Sequence, residues 1–223
     1  MKRFLLTLGA GLMAVTMASP SFAADMPRGV YKAPVYVAPF SWTGFYVGIN
    51  GGYGWGKSNW SNAAVSTGDF NIKGALVGGT LGYNLQTGSW VWGLEADADL
   101  SYIKGSTTVA CGAAGCETRN RWLGTGRGRI GYAWDRFLPY ITGGVAFGDL
   151  KMTNGAGASE TKTKLGYTVG GGVEYAFLGA WSAKIEYLYV DLGKATCGAA
   201  TCGLDTDVKF NAHLAKIGVN YRF

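Results

Sequence analysis

From Trp42 onward, apolar and polar residues alternate with the two-residue period of a β-strand whose faces meet different surroundings. In TGFYVGINGGYGW the odd positions are Phe45, Val47, Ile49, Gly51, Tyr53 and Trp55, and the even ones are mainly glycine, with Tyr46 and Asn50. KGALVGGTLGYN places Ala75, Val77, Leu81 and Tyr83 on one face. WVWGLEADADLSY sets Trp90, Trp92, Leu94, Ala96, Ala98, Leu100 and Tyr102 against Glu95, Asp97, Asp99 and Ser101. RWLGTGRGRIGYAW opposes Trp122, Ile130, Tyr132 and Trp134 to Arg121, Arg127 and Arg129. LPYITGGVAFG contributes Ile141, Val145 and Phe147, and LGYTVGGGVEYAF sets Tyr167, Val169, Val173, Tyr175 and Phe177 against Thr168 and Glu174. WSAKIEYLYV separates Trp181, Ile185, Tyr187 and Tyr189 from Lys184 and Glu186. HLAKIGVNYRF ends the series with Ala215, Ile217, Val219, Tyr221 and Phe223 opposite Lys216, Asn220 and Arg222.

Eight such segments predict an all-β protein, an eight-stranded antiparallel transmembrane β-barrel of up-and-down meander topology. Such a barrel satisfies its backbone groups between strands, turns an apolar face outward and encloses a polar interior. The links at 85–89, 135–137 and 178–180 are short, and those near 56–70, 103–120, 149–163 and 191–208 are long and rich in Gly, Ser, Thr and Asn. Their alternation predicts short periplasmic turns and four long extracellular loops.

Composition and the first residues agree with that placement. The 223 residues hold 37 glycines and 14% aromatic residues, a mixture suited to strands and tight turns. Lys2 and Arg3 precede an apolar run from Phe4 to Ala18 and a Ser21-Phe22-Ala23 cleavage pattern, so residues 1–23 read as a secretory signal peptide. Residues 24–41 carry three of the five prolines and read as an extended leader, leaving 42–223 as the barrel domain. The formal charge of +6 is spread among Asp and Glu rather than gathered in a basic block, which argues against nucleic acid as a partner.

The motifs that carry chemistry elsewhere lose their force in this context. GGYGWGKS at 51–58 matches a phosphate-binding loop but lacks the strand-to-helix setting that lets backbone N–H groups converge on phosphate. Here Gly51 to Trp55 are expected to finish the first strand, and Lys57-Ser58 to begin a polar loop. Glu95, Asp97 and Asp99 share one face of a strand and Arg127 and Arg129 share the facing one, so a structural ion-pair network fits better than a metal site or an acid–base pair. The inward set comprises Glu95, Asp97, Asp99, Arg121, Arg127, Arg129, Glu174, Lys184, Glu186, Lys216 and Arg222. Aligning the strand ends puts Asp97 opposite Arg127, Glu95 opposite Arg129, Phe177 opposite Trp181 and Glu174 opposite Lys184. A one-residue slip would turn each charge toward lipid, where Arg or Lys at mid-depth costs roughly 2–4 kcal/mol. His213, the single histidine, is expected on the outward face at the membrane interface. Cys111, Cys116, Cys197 and Cys202 form two closely spaced pairs that a zinc ion would also suit. In an exported chain local Cys111–Cys116 and Cys197–Cys202 disulfides at hairpin tips are preferred.

The AAD junction at 23–25, WTGFYVGINGGYGWG at 42–56, RGRIGYA at 127–133, WSAKIEYLYVDLG at 181–193 and the terminal Phe223 together carry a resemblance. The chain resembles the small outer-membrane immunogenic, or porin-family, β-barrel proteins of alphaproteobacteria, relatives of the OmpA-type eight-stranded barrels. The resemblance covers essentially the whole chain. It implies an abundant surface-exposed protein of the Gram-negative outer membrane without enzymatic activity or cofactor. It also implies outer-membrane lipid and lipopolysaccharide as surroundings, and export chaperones and the barrel-assembly machinery as transient partners. The assembly signal would be Ile217, Val219, Tyr221 and Phe223. The function expected is structural, in the cell envelope, with surface-exposed recognition loops and an unidentified host or envelope partner. The alternatives are a narrow pore for water, ions or very small solutes, and a host-surface adhesin or lipid-modifying barrel enzyme.

Overall fold

The structure, a computed structural model, describes residues 40–61, 66–109, 115–154, 156–198 and 206–223. Ten strand segments follow one another: β1 (Gly44–Ser61), β2 (Ser66–Thr87), β3 (Trp90–Ser101), β4 (Lys104–Thr107), β5 (Cys116–Arg119), β6 (Trp122–Tyr132), β7 (Phe137–Thr153), β8 (Ser159–Leu178), β9 (Trp181–Cys197) and β10 (Thr206–Arg222). Every pairing is antiparallel, and β1 pairs with both β2 and β10, so the sheet closes on itself. The ten segments make eight staves. β3 and β4 are one stave interrupted at Tyr102–Ile103, and β5 and β6 another interrupted at Asn120–Arg121. Backbone bonds bridge the breaks, from the Tyr102 N–H to the Ala75 carbonyl and from the Asn120 N–H to the Ile103 carbonyl, both at 2.9 Å. In hydrocarbon an unpaired peptide group costs several kcal/mol, which closure avoids.

The three short turns each contain a residue at positive φ: Gly88 (62°), Asp135 (53°) and Gly179 (51°). Glycine takes this conformation without penalty, and aspartate is one of the few other residues that tolerate it. At the opposite end the wall is longer than expected. Strands extend to Ser61, Thr153 and Cys197 and resume at Ser66, Ser159 and Thr206, so much of what reads as polar loop is strand. Gly, Ser, Thr and Asn in these stretches pair across the sheet as their neighbours do, because a closed ladder overrides weak local propensity.

The outer surface has the layers a bilayer demands. Phe45 packs on Tyr83 (centroids 4.7 Å apart), Trp90 on Tyr132 (5.4 Å) and Trp181 on Tyr221 (5.0 Å) near the short turns. Trp122 packs on Phe147 (6.1 Å) and Tyr167 on Tyr189 (6.2 Å) toward the long links. Between these girdles Ile49, Leu81, Leu94, Ile141, Ile185 and Ile217 are exposed. Phe45 and Trp55 lie ten residues apart on β1, which at ~3.4 Å per residue and ~40° tilt spans about 26 Å, close to the ~25 Å apolar band of such barrels.

Inside, the expectation of a uniformly polar lumen is corrected. The half nearer the short turns carries the charges, whereas the half nearer the long links is a dry core built from Trp60, Phe70, Ile72, Leu76, Leu150, Met152, Leu188, Val190, Phe210 and Leu214, among others. An eight-stranded barrel is just wide enough for side chains to fill it, and glycine makes the filling possible. Tyr46 lies over Gly82, its cross-strand partner, where a Cβ would collide with the ring. The glycines of the phosphate-loop look-alike serve the same end, since a Cβ on Gly54 would strike Ile103 and Leu214. Lys57 and Ser58 of that motif belong to β1, contrary to the expected polar loop.

Below the charges a smaller cluster of Trp42, Val91, Ala133, Leu138 and Ala176 closes the periplasmic end, with Phe40 against it. Trp42 donates its ring N–H to the Asp135 carbonyl (3.0 Å) and its backbone N–H to Gln86 (2.7 Å). Leu214→Ala should therefore lose about 2–4 kcal/mol of stability, the price of a core cavity, whereas lipid-facing Leu94→Ala should lose no more than about 1 kcal/mol. Urea unfolding of both variants in bilayers measures the difference, and a negligible loss for Leu214→Ala would mean a wet upper lumen.

Candidate functional site

The buried charges converge from five staves because each sits at an inward position of its strand. Glu95, Asp97 and Asp99 come from β3, Arg127 and Arg129 from β6, Glu174 from β8, Lys184 and Glu186 from β9 and Lys216 from β10, with Tyr46 and Asn50 from β1 and Tyr140 from β7 completing the belt. All are nearly inaccessible to water. Arg127 is the hub. Its Nη2 contacts Glu95 (2.5 Å) and Asp97, and its Nη1 contacts Glu186 (2.9 Å). Arg129 pairs with Glu174 (2.7 Å), lies 3.4 Å from Glu95 and stacks its guanidinium on the Tyr140 ring at 4.1 Å from the centroid. Lys184 donates to Glu95 (3.0 Å), and Lys216 donates to Asp99 (2.8 Å) while lying 3.7 Å from Asp97.

Neutral donors complete the shell. Tyr46 donates to Glu95 (2.7 Å), Tyr140 to Glu186 (3.0 Å), Thr80 and Thr125 to Asp97 (2.6 and 3.0 Å), and Ser182 and Asn220 to Glu174 (2.6 and 2.8 Å). The burial of so many charges is tolerated only because nearly every one is paired and hydrogen-bonded. Of these neutral partners, the alternation placed Tyr46 and Asn220 on the inward face, whereas Tyr140, Thr80, Thr125 and Ser182 were not named from the sequence. Their inward parity would have found them, but a hydroxyl or amide there has no pattern that separates it from filler.

The cross-strand partners differ from the simple alignment by two residues. Glu95 faces Arg127, Asp97 faces Thr125 and Arg129 faces Gly93, because β3 pairs with β6 from Trp90 opposite Tyr132 rather than Trp134. Trp134 instead bridges to Phe137 within the turn. Parity survives such a shift, whereas partner identity does not. Glu174 does face Lys184, although the turn closes with Leu178 opposite Trp181 after a register irregularity, not with Phe177. Being opposite in register does not make them an ion pair: Lys184 reaches across the lumen to Glu95, and Glu174 takes Arg129.

Two residues of the expected inward set lie apart. Arg121 is exposed at the break between β5 and β6, where it pairs with Asp149 (2.8 Å), a residue also held by the backbone N–H groups of Arg121 and Trp122. Arg222 lies at the periplasmic rim and stacks on Phe40 (4.4 Å) and Trp42 (5.8 Å). Ile217, Val219, Tyr221 and Phe223 all face outward. His213 does too, with its Nδ1 2.6 Å from the Tyr187 hydroxyl and its ring beside Trp55. Cys116 and Cys197 are disulfide-bonded and buried, Cys116 at the start of β5 and Cys197 at the end of β9. Cys111 and Cys202 lie outside the described residues, so the pairing proposed for them stays a proposal.

The carboxylates of Glu95, Asp97 and Glu186 come within 4.8 Å of one another, close enough to hold a cation. The cation they surround is the Arg127 guanidinium. Glu160, outside the membrane on the extension of β8, accepts the Gly198 N–H (3.0 Å) and lies 3.1 Å from Lys162, and these two interactions hold its carboxyl below the usual carboxylate range. Arg127→Ala should cost about 3–5 kcal/mol by stranding three carboxylates. Pairing it with Asp97→Ala or Glu186→Ala should recover at least ~1 kcal/mol in a double-mutant cycle read by urea unfolding in bilayers. Strict additivity in both cycles would remove Arg127 from the centre of the network.

A family model described as the outer membrane protein beta-barrel domain matches residues 10–223. The chain is 37% identical to the 31 kDa outer-membrane immunogenic protein of Brucella melitensis, with all of both chains covered. It is 32% identical to the 25 kDa outer-membrane immunogenic protein of Brucella abortus over 91% of each chain. It is also 37% identical to the 22 kDa outer membrane protein of Rhizobium leguminosarum over 72% of this chain and 68% of the relative. With the closed eight-stave sheet, its apolar exterior and its aromatic girdles, these likenesses lead to one conclusion: the chain belongs to the outer membrane β-barrel family that includes the outer-membrane immunogenic proteins, and it resides in the Gram-negative outer membrane.

Proposed function

We propose that this barrel is a non-enzymatic structural element of the outer membrane that holds a rigid collar of strands above the bilayer for surface recognition. The observation that carries this reading is the filled interior. Trp42 and its neighbours occupy the periplasmic end, the charged network the middle and the dry core the rest. Such a stack favours a plugged cylinder over a narrow pore, since an ion would have to displace paired charges and then cross apolar side chains. The collar is braced from within, with the Trp60 ring N–H donating to Thr118 (2.8 Å) and Ser58 within 3.2 Å of the same hydroxyl.

Enzymatic roles are disfavoured by where the reactive groups lie. Among the described residues the buried carboxylates are committed to arginine and lysine, and His213 faces lipid with Tyr187 as its hydrogen-bond partner. In planar bilayers at 1 M KCl the protein should give no resolvable conductance steps, and reproducible ion-selective steps would favour the pore. At the C-terminus, Tyr221 packs on Phe223 (5.2 Å) on the lipid face. Deleting Phe223 should reduce the level of folded, heat-modifiable protein in outer-membrane fractions several-fold, while leaving refolding in detergent largely intact. An unchanged membrane level would remove this residue from the assembly signal.

A further inference from the structure

Above the outer aromatic girdle, four cations occupy directly opposed positions on successive strands. Lys73 of β2 faces Lys104 of β4, Lys104 faces Arg119 of β5, and Arg119 faces Lys151 of β7. Their chain neighbours Ile72, Ile103, Thr118 and Met152 are buried inside the barrel, so alternation turns all four charges outward. Strands lie ~4.8 Å apart, which confines four positive charges to a row about 15 Å long. None of the four makes an ion pair or side-chain hydrogen bond among the described residues, although nearby cations do: Lys57 with Asp69, Arg121 with Asp149 and Lys162 with Glu160. Glu117 shares the face of Arg119, but in register it opposes Ser106 and Thr153, outside the row. Like charges placed directly opposite destabilise a sheet, so the row calls for an anion from outside the chain.

Its height identifies that anion. Trp55 of β1 faces Lys73 and extends the row. Tyr102 lies two residues below Lys104 toward the membrane, and the Trp122–Phe147 pair lies below Arg119 and Lys151. The cations therefore project sideways from the wall immediately above the belt that marks the hydrocarbon boundary, at the level of the outer-leaflet headgroups. A soluble partner approaching from above would meet the collar and loops first. We propose that Lys73, Lys104, Arg119 and Lys151 form a binding site for the anionic headgroup of an outer-leaflet glycolipid, whose phosphate or carboxylate groups neutralise the row while its acyl chains lie on the apolar wall beneath. The proposal holds whether or not the lumen conducts.

The test uses the full chain folded in neutral detergent micelles and titrated with deep-rough, bisphosphorylated lipopolysaccharide, with binding read by native mass spectrometry. A cation near an anionic lipid surface is worth ~1 kcal/mol, about fivefold in affinity. The K73Q/K104Q/R119Q/K151Q variant should thus bind at least ~50-fold more weakly. R119Q alone should lose about fivefold, and being exposed and unbonded it keeps the question open to measurement if the fourfold variant folds poorly. Neutralising two exposed cations elsewhere on the wall, K194Q/K209Q, should change affinity less than about twofold. Equal losses in the row and control variants would reduce the effect to net charge and overturn the site, as would unaltered binding by R119Q. Phosphatidylglycerol at matched charge should bind more weakly than the lipopolysaccharide, and equal affinity with equal dependence on the row would overturn the glycolipid assignment.

Discussion

A backbone that crosses hydrocarbon has no water to satisfy its N–H and C=O groups, and closure of the sheet is the condition on which everything else here depends. Among the described residues, closure through the β1–β10 pairing gives each stave two neighbours between the aromatic girdles. Once the ladder is closed, each residue in the wall faces either lipid or the interior. The alternation of the chain thus becomes a partition in which isoleucine and leucine face acyl chains and arginine and aspartate face one another.

The interior then obeys the opposite rule from the exterior. Charges excluded from lipid are confined to a space too narrow for bulk water, so they must neutralise one another. Arg127 does this for three carboxylates at once, Lys184 adds a second cation to Glu95, and Lys216 and Arg129 serve Asp99 and Glu174. Replacing this belt with apolar packing need not destabilise the barrel, since buried ion pairs often only break even against their desolvation. What the network does contribute is specificity, because a one-residue slip of β3, β6, β8, β9 or β10 would expose charge to lipid. The dry core above it makes the same demand less sharply, as apolar groups suffer little on either face.

The collar above the membrane shows where a different solvent relaxes the rule. There the outward face meets headgroups and water, so lysine, arginine and asparagine replace isoleucine and leucine without any change of strand geometry. The inward face stays buried, with Trp60, Phe210 and Met152 still packed. The paired strands therefore continue past the outer aromatic girdle.

Strand existence, face assignment, the closed barrel and the identity of most inward charges were legible in the chain, because a period of two is a local property and lipid punishes every exception. Partner identity was not legible. The step from Glu95 opposite Arg129 to Glu95 opposite Arg127 preserves every side chain's face, so nothing in the alternation distinguishes the two registers. Nor did adjacency predict contact: Glu174 faces Lys184 yet binds Arg129, because long side chains in a narrow lumen reach across strands to whichever charge lies nearest in space. The same limit misplaced Arg121, whose inward parity fails where the stave breaks at Asn120–Arg121, and it hid the row of Lys73, Lys104, Arg119 and Lys151, which are far apart in the chain. The sequence by itself determined which way each strand residue points. Only the tertiary structure decided what it meets there, since alternation acts within a strand while register and closure act between strands.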